Sequence, residues 1–362
     1  MAIGLYIHVP FCKRKCPYCD FYSKSVTPDI ETQYVYALIR NIERYKNTEI
    51  DSIYFGGGTP SILSDESYKR IFSAIKTNFK LIEPEISLEA NPCSVNLEKL
   101  KFFRNVGFNR ISFGVQSCVD SELTKLGRSH NFEQAKQAIL NASKAGFENI
   151  SADLMLGIPE QTSESLSFSI DELSKLPLTH ISAYMLKIEK NTPFNTESII
   201  NMLPDEDSVA DLYLQAINEL EKNGFTQYEI SNFSKKGYEC RHNLKYWRCE
   251  EYIGLGPSAH SFYNGKRYEV PRNLDDFISN EFQAEIVNEE HPHTFDEVAM
   301  LRLRLTEGLS RKVCEEFDVD FEGILKKAEP LKKAGLVDIF DDRIVITKEG
   351  FLVSNSIIAE IT

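Results

Sequence analysis

The chain has 362 residues, of which 42% are hydrophobic, and this is enough apolar material for a barrel-sized domain with smaller additions. Its formal net charge of −13 argues against a nucleic-acid partner, because phosphate binding needs a basic surface. The N-terminus lacks the pattern of a signal peptide, and no stretch approaches the ~20 apolar residues of a membrane span. We expect a cytoplasmic protein without a transmembrane segment, whose eight cysteines form no disulfides.

Short apolar runs alternate with amphipathic stretches through the first half of the chain. The strand-like runs are Leu5–Val9, Ser52–Phe55, Glu85–Glu89, Arg110–Gly114, Asn149–Leu154 and His180–Leu186. The helical stretches between them are Asp29–Tyr45, Asp65–Phe79, Leu97–Asn105, Phe132–Ala145 and Ser163–Leu176. This α/β alternation predicts a parallel sheet covered by helices, and six units favour an incomplete barrel. An open doubly wound sheet would give the same pattern.

The second half of the chain has a different pattern. A helix start at Pro204–Asp207 precedes a helical run to about Asn223, and residues 225–290 are rich in aromatics and glycine. From about Thr294 the order is helix, helix and two short strands around Asp341 and Asp342, which predicts a winged-helix-like unit or a small packing domain. We therefore predict three regions, a barrel at 1–204, an α+β extension at 205–290 and the C-terminal unit at 291–362.

Three cysteines directly follow the first predicted strand. Cys12, Cys16 and Cys19 have the spacing C-x3-C-x2-C, which places three thiols on one loop at the carboxyl end of a strand, where barrel sites are built. Three thiolates ligate three irons of a [4Fe-4S] cube and leave one iron open. S-adenosylmethionine (SAM) can occupy that iron, and one electron from the cluster then cleaves its sulfonium bond to give a 5'-deoxyadenosyl radical.

The competing interpretation of the cysteines is a zinc site. A structural zinc needs four ligands, usually in paired C-x2-C units, and this sequence has one such unit with no second pair after it. The cluster is therefore the favoured prediction, with Cys12, Cys16 and Cys19 as its ligands.

Polar and glycine residues recur at the ends of the later predicted strands. Gly57, Gly58 and Thr59 end the second strand, where glycines let a backbone approach a ligand closely. The polar residues at or near later strand ends are Glu89, Gln116, Arg128 and Asp153. Carboxylates accept hydrogen bonds from an amino group or ribose hydroxyls, and a guanidinium pairs with a carboxylate, so Arg128 is the candidate partner of the SAM carboxylate. Any one of these residues could instead be a structural hydrogen-bonder.

Together these motifs resemble the radical-SAM superfamily and, within it, the family of oxygen-independent coproporphyrinogen dehydrogenases and haem chaperones. The matching positions are Tyr6, the stretch from Ile7 to Cys12, the cysteine triplet, Gly57, Gly58, Thr59, Glu89, Gln116, Arg128 and Asp153. The resemblance covers nearly the whole chain. It implies a partial (β/α)6 barrel with a C-terminal accessory domain, and SAM contacts at these positions and at Tyr18.

Two departures separate the chain from the dehydrogenase branch of that family. The branch resembles C-x3-C-x2-C-x-C, whereas Phe21 stands here in place of the fourth cysteine. It also has an N-terminal extension, whereas eleven residues precede Cys12 here. Both departures count against coproporphyrinogen decarboxylation, which we keep as the alternative activity.

The run from Arg241 to Trp247 contains H-N-x-x-Y-W, similar to a motif of the haem chaperone branch. Neutral imidazole is a ligand for haem iron, and Tyr246 and Trp247 offer flat apolar surface, so we predict His242 as a haem ligand. A histidine near aromatics is also a common core residue. The expected partners are haem, a haem-acceptor protein such as a respiratory component, and an electron donor such as flavodoxin or ferredoxin.

Overall fold

The structure, a computed structural model, describes residues 2–362, and its first half has six strands, of which the first five are each followed by one or two α-helices. The strands are β1 Ile3–Val9, β2 Glu49–Gly57, β3 Lys80–Ala90, β4 Arg110–Gln116, β5 Asn149–Leu156 and β6 His180–Met185. The helices are α1 Pro28–Ile42, α2 Asp65–Asn78, α3 Leu97–Val106, α4 Asp120–Lys125, α5 Phe132–Lys144 and α6 Ser163–Ser174. All six predicted strands are present. Five are longer than predicted, and the sixth ends one residue earlier.

The order of the strands distinguishes between the two predicted sheet types. Strands β1 to β6 lie side by side in sequence order, and each pairs with the next in parallel. A doubly wound sheet would instead reverse its strand order at a switch point. The sequential order is that of a (β/α)6 partial barrel, and the predicted fold class is confirmed.

Local sequence signals set where the covering helices begin. A side-chain oxygen of the residue before each helix accepts a hydrogen bond from a backbone N–H of the first turn at Thr27, Ser64, Asn96, Asn131 and Thr162. Each such cap satisfies one of the N–H groups that a helix start leaves without an internal partner. These caps precede α1, α2, α3, α5 and α6, so every long helix of the barrel has a defined first turn.

Strand β4 shows how the barrel separates polar from apolar residues. Its residues under the helices are apolar and fully buried: Ile111, Phe113 and Val115. The alternate residues line a cavity on the other face of the sheet: Arg110, Ser112, Gly114 and Gln116. Since side chains alternate between the two faces of a strand, a single strand supplies both the outer core and the polar lumen.

Residues after β6 extend the same sheet at both ends. The elements are α7 Glu197–Ile200, α8 Glu206–Lys222, β7 Thr226–Glu229, β8 Asn232–Ser234, α9 Arg241–Trp247, β9 Tyr252–Leu255, β10 His260–Tyr263, β11 Lys266–Glu269, α10 Leu274–Ser279 and β12 Ile286–Glu289. The complete strand order is β12-β11-β10-β9-β1-β2-β3-β4-β5-β6-β8-β7. Strand β9 pairs with β1 in parallel, and β8 pairs with β6 in antiparallel. The predicted boundary between the barrel and the extension, at residue 205, therefore falls within a chain that builds one continuous sheet. A division into two domains at this residue stays a prediction.

The C-terminal region forms a small unit with its own sheet. Its elements are α11 Phe295–Arg302, β13 Leu309–Ser310, α12 Arg311–Glu316, α13 Phe321–Lys333, β14 Val337–Ile339, β15 Arg343–Ile346, α14 Lys348–Leu352 and α15 Ser354–Ile361. The three strands pair in the order β13-β15-β14, and Asp341 and Asp342 lie in the turn between the last two. The order helix, strand, helix, helix, strand, strand is that of a winged-helix unit. None of the helices described over residues 2–362 is both long and apolar enough to cross a membrane.

An aromatic cluster joins the helix layer to the sheet. The ring of Phe108, which is fully buried, lies 5.0 to 5.7 Å from four other rings, those of Phe55, Tyr68, Phe72 and Phe103. These rings come from β2, α2 and α3, so one side chain after α3 contacts three elements.

We expect Phe108→Ala to lower the free energy of unfolding by ~3–5 kcal/mol, because the substitution leaves a cavity at the centre of this cluster. Urea unfolding followed by circular dichroism measures the effect. The matched control is Phe168→Ala on α6, whose ring is 48% exposed. Equal unfolding midpoints for the two variants would show that the cluster does not hold the helices to the sheet.

Candidate functional site

The three cysteines lie on the loop between β1 and α1, and backbone hydrogen bonds close this loop at its base. The Cys12 N–H donates to the Lys24 carbonyl at 3.0 Å, and the Lys24 N–H donates to the Pro10 carbonyl at 2.8 Å. Phe11 is fully buried and packs edge-on against Tyr34, with ring centroids 5.2 Å apart. The loop therefore leaves the sheet at a fixed point, and its thiols lie at the carboxyl end of β1.

All three cysteines of the loop are partly buried, and two of them contact a polar or charged side chain. The Cys12 Sγ lies 3.4 Å from the Thr59 hydroxyl, and the Arg128 Nη1 donates to the Cys16 Sγ at 3.3 Å. Burial raises the pKa of the Cys19 thiol, with smaller contributions from the neighbouring thiols. Arg128 thus places a positive charge against the Cys16 thiol, as an anionic cluster requires.

The spacing of these thiols bears on the kind of metal they could hold. Within residues 2–362, no three side chains of His, Cys, Asp or Glu are gathered as ligands of a single metal ion. Ligands of one zinc converge on one point, whereas the thiolates of a cube bind three different irons. Three thiols on one loop, facing one cavity beside a guanidinium, fit a cluster.

The glycine run at the end of β2 is bonded to the start of the cysteine loop. The Gly58 N–H donates to the Val9 carbonyl at 2.9 Å, and the Thr59 N–H donates to the Phe11 carbonyl at 2.7 Å. A β carbon on Gly58 would lie only 2.6 Å from that Phe11 carbonyl oxygen. Glycine is required here because the two backbones approach too closely for any side chain.

A cavity of about 360 Å³ opens at the carboxyl ends of the strands and brings most of the predicted site residues together. The predicted residues that line it are Cys12, Cys16, Tyr18, Cys19, Gly57, Gly58, Thr59, Glu89, Gln116, Arg128 and Asp153. Tyr6 does not line it and instead lies behind Tyr54, with ring centroids 6.3 Å apart. The roles given to these residues stay predictions, and the structure shows that eleven of them share one cavity.

Two partly buried carboxyl groups, those of Glu89 and Asp153, line this cavity. Glu89 accepts hydrogen bonds from the Tyr54 hydroxyl at 2.9 Å and the Gly57 N–H at 3.3 Å. Burial, and then the charge of Asp153, raises the pKa of Glu89 to about 7. Burial likewise raises the pKa of Asp153, which accepts a hydrogen bond from the Ser112 hydroxyl at 3.1 Å. Each carboxylate retains acceptor capacity for a ligand.

Arg128 lies between the cysteine loop and β4. Its Nη2 donates to the Gly114 carbonyl at 2.6 Å, and its Nη1 lies 3.4 Å from the Tyr18 hydroxyl. Its Nε is buried and has no hydrogen-bond partner within residues 2–362. A bound carboxylate would give this group an acceptor.

Several lining residues were not predicted as site residues. They are Tyr54, Arg110, Ser112, Ser182 and Asn243. The signal for most of them is the alternation on the strands, since a polar residue at every second position marks the lumen face of a buried strand. Arg110 is 2% exposed, and its Nε and Nη1 have no hydrogen-bond partner within residues 2–362.

His242 lies in the core beneath this cavity and does not line it. It is 1% exposed, and both ring nitrogens are engaged, Nδ1 with the Ser52 hydroxyl at 2.9 Å and Nε2 with the Tyr246 hydroxyl at 2.8 Å. Its ring stacks on Tyr54 with centroids 5.4 Å apart. Burial lowers the pKa of His242 to about 3, so the imidazole is neutral. Haem ligation by His242 stays a prediction, and it requires one ring nitrogen to lose its hydrogen bond.

The chain is similar in sequence and in fold to known proteins of one superfamily. Residues 6–173 match the Radical SAM superfamily, and residues 291–353 match the HemN C-terminal domain. The structure of coproporphyrinogen III oxidase (HemN) from Escherichia coli has the same fold, with a TM-score of 0.84, 23% identity and coverage of 99% of this chain and 90% of that chain. The fold and the cysteine-lined cavity are those of a radical-SAM protein.

Curated relatives narrow the class to one family. The chain is 34% identical to the heme chaperone HemW of Bacillus subtilis, over 97% of both chains. It is 37% identical to the heme chaperone HemW of Haemophilus influenzae, over 90% of this chain and 88% of that one. The chain belongs to the HemW family of heme chaperones.

We expect Glu89→Gln to change how stability depends on pH. The folded-state pKa of Glu89 is raised to about 7. Its contribution to the free energy of unfolding is therefore fully present below its unfolded-state pKa and is lost as the pH rises through 7. The free energy of unfolding of Glu89→Gln should equal that of the wild type near pH 5. Near pH 8 it should be higher than that of the wild type by ~1–3 kcal/mol. Urea unfolding at both pH values is the measurement.

The control for this experiment is Glu148→Gln, which changes an exposed carboxyl between α5 and β5. Burial also raises the pKa of Glu229 to about 7, but that group titrates in all three proteins and cancels in the differences. A constant offset between wild type and Glu89→Gln from pH 5 to 8 would contradict the raised pKa.

Proposed function

We propose that this protein is a cytoplasmic haem chaperone that holds a [4Fe-4S] cluster, SAM and haem, and that delivers the haem to an acceptor protein. One observation carries the cluster and SAM part: three thiols, a glycine loop, two carboxyls and a guanidinium line the same cavity. The haem part is supported by membership of the HemW family, whose curated members are named heme chaperones.

Different residues that line the cavity would bind the cluster and SAM. Cys12, Cys16 and Cys19 would ligate the cluster, and the guanidinium of Arg128 would offset its negative charge. When bound, the cluster and SAM supply one-electron reductive chemistry at the sulfonium of SAM. Glu89 would accept from the amino group or ribose hydroxyls, because it lines the cavity and each of its oxygens, with one hydrogen bond, keeps spare acceptor capacity.

Asp153 and Arg128, which also line the cavity, would fix the ligand together with Glu89. Asp153 lies on β5 and is bonded to Ser112 on β4, so its carboxyl is held in place before a ligand arrives. The buried Nε of Arg128 is a free donor for a ligand carboxylate. Because the pKa values of Glu89 and Asp153 are raised, a cationic ligand would bind more tightly as the pH rises through them.

The haem-acceptor protein and the electron donor are partners that the proposal requires. An acceptor such as a respiratory component would take the haem, and a flavodoxin or ferredoxin would reduce the cluster. Lys13, Arg14 and Lys15 are exposed on the cysteine loop of a chain whose net charge is −13. A local cationic surface at the cluster would attract an acidic electron donor.

We expect Cys16→Ala to abolish stable cluster assembly after anaerobic reconstitution, because two thiolates do not hold the cube. Iron content per chain and the brown absorption of the cluster are the measurements. The matched control is Cys93→Ala, which removes an exposed thiol that does not line the cavity. A normal chromophore in Cys16→Ala, Cys12→Ala and Cys19→Ala would rule out these ligands.

We expect wild-type protein to bind hemin saturably, near one haem per chain, with a Soret band that changes on binding. His242→Ala should alter that band if the imidazole is an iron ligand, and His260→Ala, which removes an exposed imidazole, is the control. Absence of specific hemin binding by the cluster-loaded wild type would overturn the chaperone proposal. Anaerobic conversion of coproporphyrinogen would then be tested as the alternative activity.

A further inference from the structure

The rim of the cavity has exposed side chains that cluster and SAM binding does not use. Phe21 is 67% exposed and Tyr184 is 41% exposed, and both line the cavity. Arg14 and Lys15 also line it and are exposed. Neither of these two cations takes part in the ion pairs found within residues 2–362. We call these four residues the rim.

Tyr184 lies near the carboxyl end of β6 and lines the cavity together with Ser182 of the same strand. At 41% exposure it presents aromatic surface at the opening. Phe21 lies two residues after Cys19, on the loop that precedes α1. Two aromatic surfaces from different parts of the barrel thus border one opening.

The size of the cavity limits what can lie inside it. At about 360 Å³ it is near the lower end of ligand pockets, which span ~300–1,000 Å³. A nucleoside-bearing cofactor would fill such a space, and no room would remain for a macrocycle of four pyrrole rings. His242 is separated from the opening by the cavity itself and is 1% exposed. A macrocycle that approaches the site from solvent meets the rim first.

We propose that the rim is the contact site for haem, with the flat face of the porphyrin on Phe21 and Tyr184 and its propionates on Arg14 and Lys15. Aromatic rings bury a flat apolar face favourably, and guanidinium and ammonium groups pair with carboxylates. This inference rests on the proposed haem chaperone function and adds the place where haem binds.

The distribution of charge on the protein also favours haem binding at the rim. Haem has two propionate carboxylates, and a protein of net charge −13 repels such a ligand over most of its surface. The unpaired cations of the rim are a local exception beside two exposed rings. An acidic electron donor could also use the cations, but pairing with acidic side chains does not require two aromatic rings at the same opening. We therefore argue for haem and make the donor protein an outcome of the test.

The test titrates reconstituted full-length protein anaerobically with hemin and with hemin dimethyl ester, in which the carboxylates are blocked. The variants are the double substitutions Phe21→Ala with Tyr184→Ala, and Arg14→Gln with Lys15→Gln. Their controls are Phe168→Ala and the double substitution Lys144→Gln with Lys236→Gln, which change exposed residues away from the cavity. Iron content and circular dichroism establish that each variant is folded and loaded.

We expect the aromatic double variant to weaken binding of both ligands by at least about tenfold, while Phe168→Ala has no effect. The cation double variant should weaken hemin by about tenfold and leave the dimethyl ester unchanged. The control pair, which lowers the net charge equally, should leave the affinity for both ligands at the wild-type value.

Three results would overturn the rim proposal or its basis, and they are distinguishable. Wild-type hemin affinity in both rim variants, with loss in His242→Ala, would place haem at the H-N-x-x-Y-W motif and leave the chaperone function standing. Unchanged hemin affinity with slower cluster reduction by flavodoxin would assign the rim to the electron donor. No specific hemin binding by wild type would remove the proposed function itself.

Discussion

Every parallel strand of this barrel separates a helix layer from a lumen, and the strict alternation of side chains between these two surroundings is the constraint on which the structure depends. On β4 it sends Phe113 into the outer core and Ser112 into the cavity. Pairing in sequence order then sets the lumen residues of neighbouring strands side by side, so that Glu89 is opposite Ser112. The site thus depends on strand register, because a shift of one residue would move its side chains from the cavity to the helix-covered face of the sheet.

Burial of polar groups in the lumen has an energetic cost that the protein offsets with local hydrogen bonds. The carboxyl of Glu89 keeps two donors, yet burial still raises its pKa to about 7. Helix α9 closes this polar interior with an imidazole whose two nitrogens are both satisfied, by Ser52 and Tyr246. In this structure His242 and Tyr246 of the H-N-x-x-Y-W motif are bonded to each other in the core, and Asn243 of the same motif lines the cavity.

Most of the fold follows from the sequence because its determinants are local. Apolar runs, caps such as Thr27 and Ser64, and the cysteine spacing act within a few residues of chain. The choice between a core position and an accessible one for His242 could not be made in the same way, since it depends on which segment closes the barrel from below. Tyr6 shows the same limit, because its alternation places it in the lumen but not at the depth of the cavity. Whether a lumen residue reaches the cavity or lies below it depends on contacts between elements that are distant in the sequence. A short sequence pattern does not predict that position.

The closure of the cysteine loop has a further consequence for how such a protein can change. Its base is held by main-chain bonds between Cys12, Lys24 and Pro10, which do not depend on which side chains the loop displays. Substitutions within the loop can therefore alter its charge or its aromatic surface while the thiols keep their place. A lineage could in this way exchange the molecule recognised at the opening, or the partner that docks there, without rebuilding the centre beneath it.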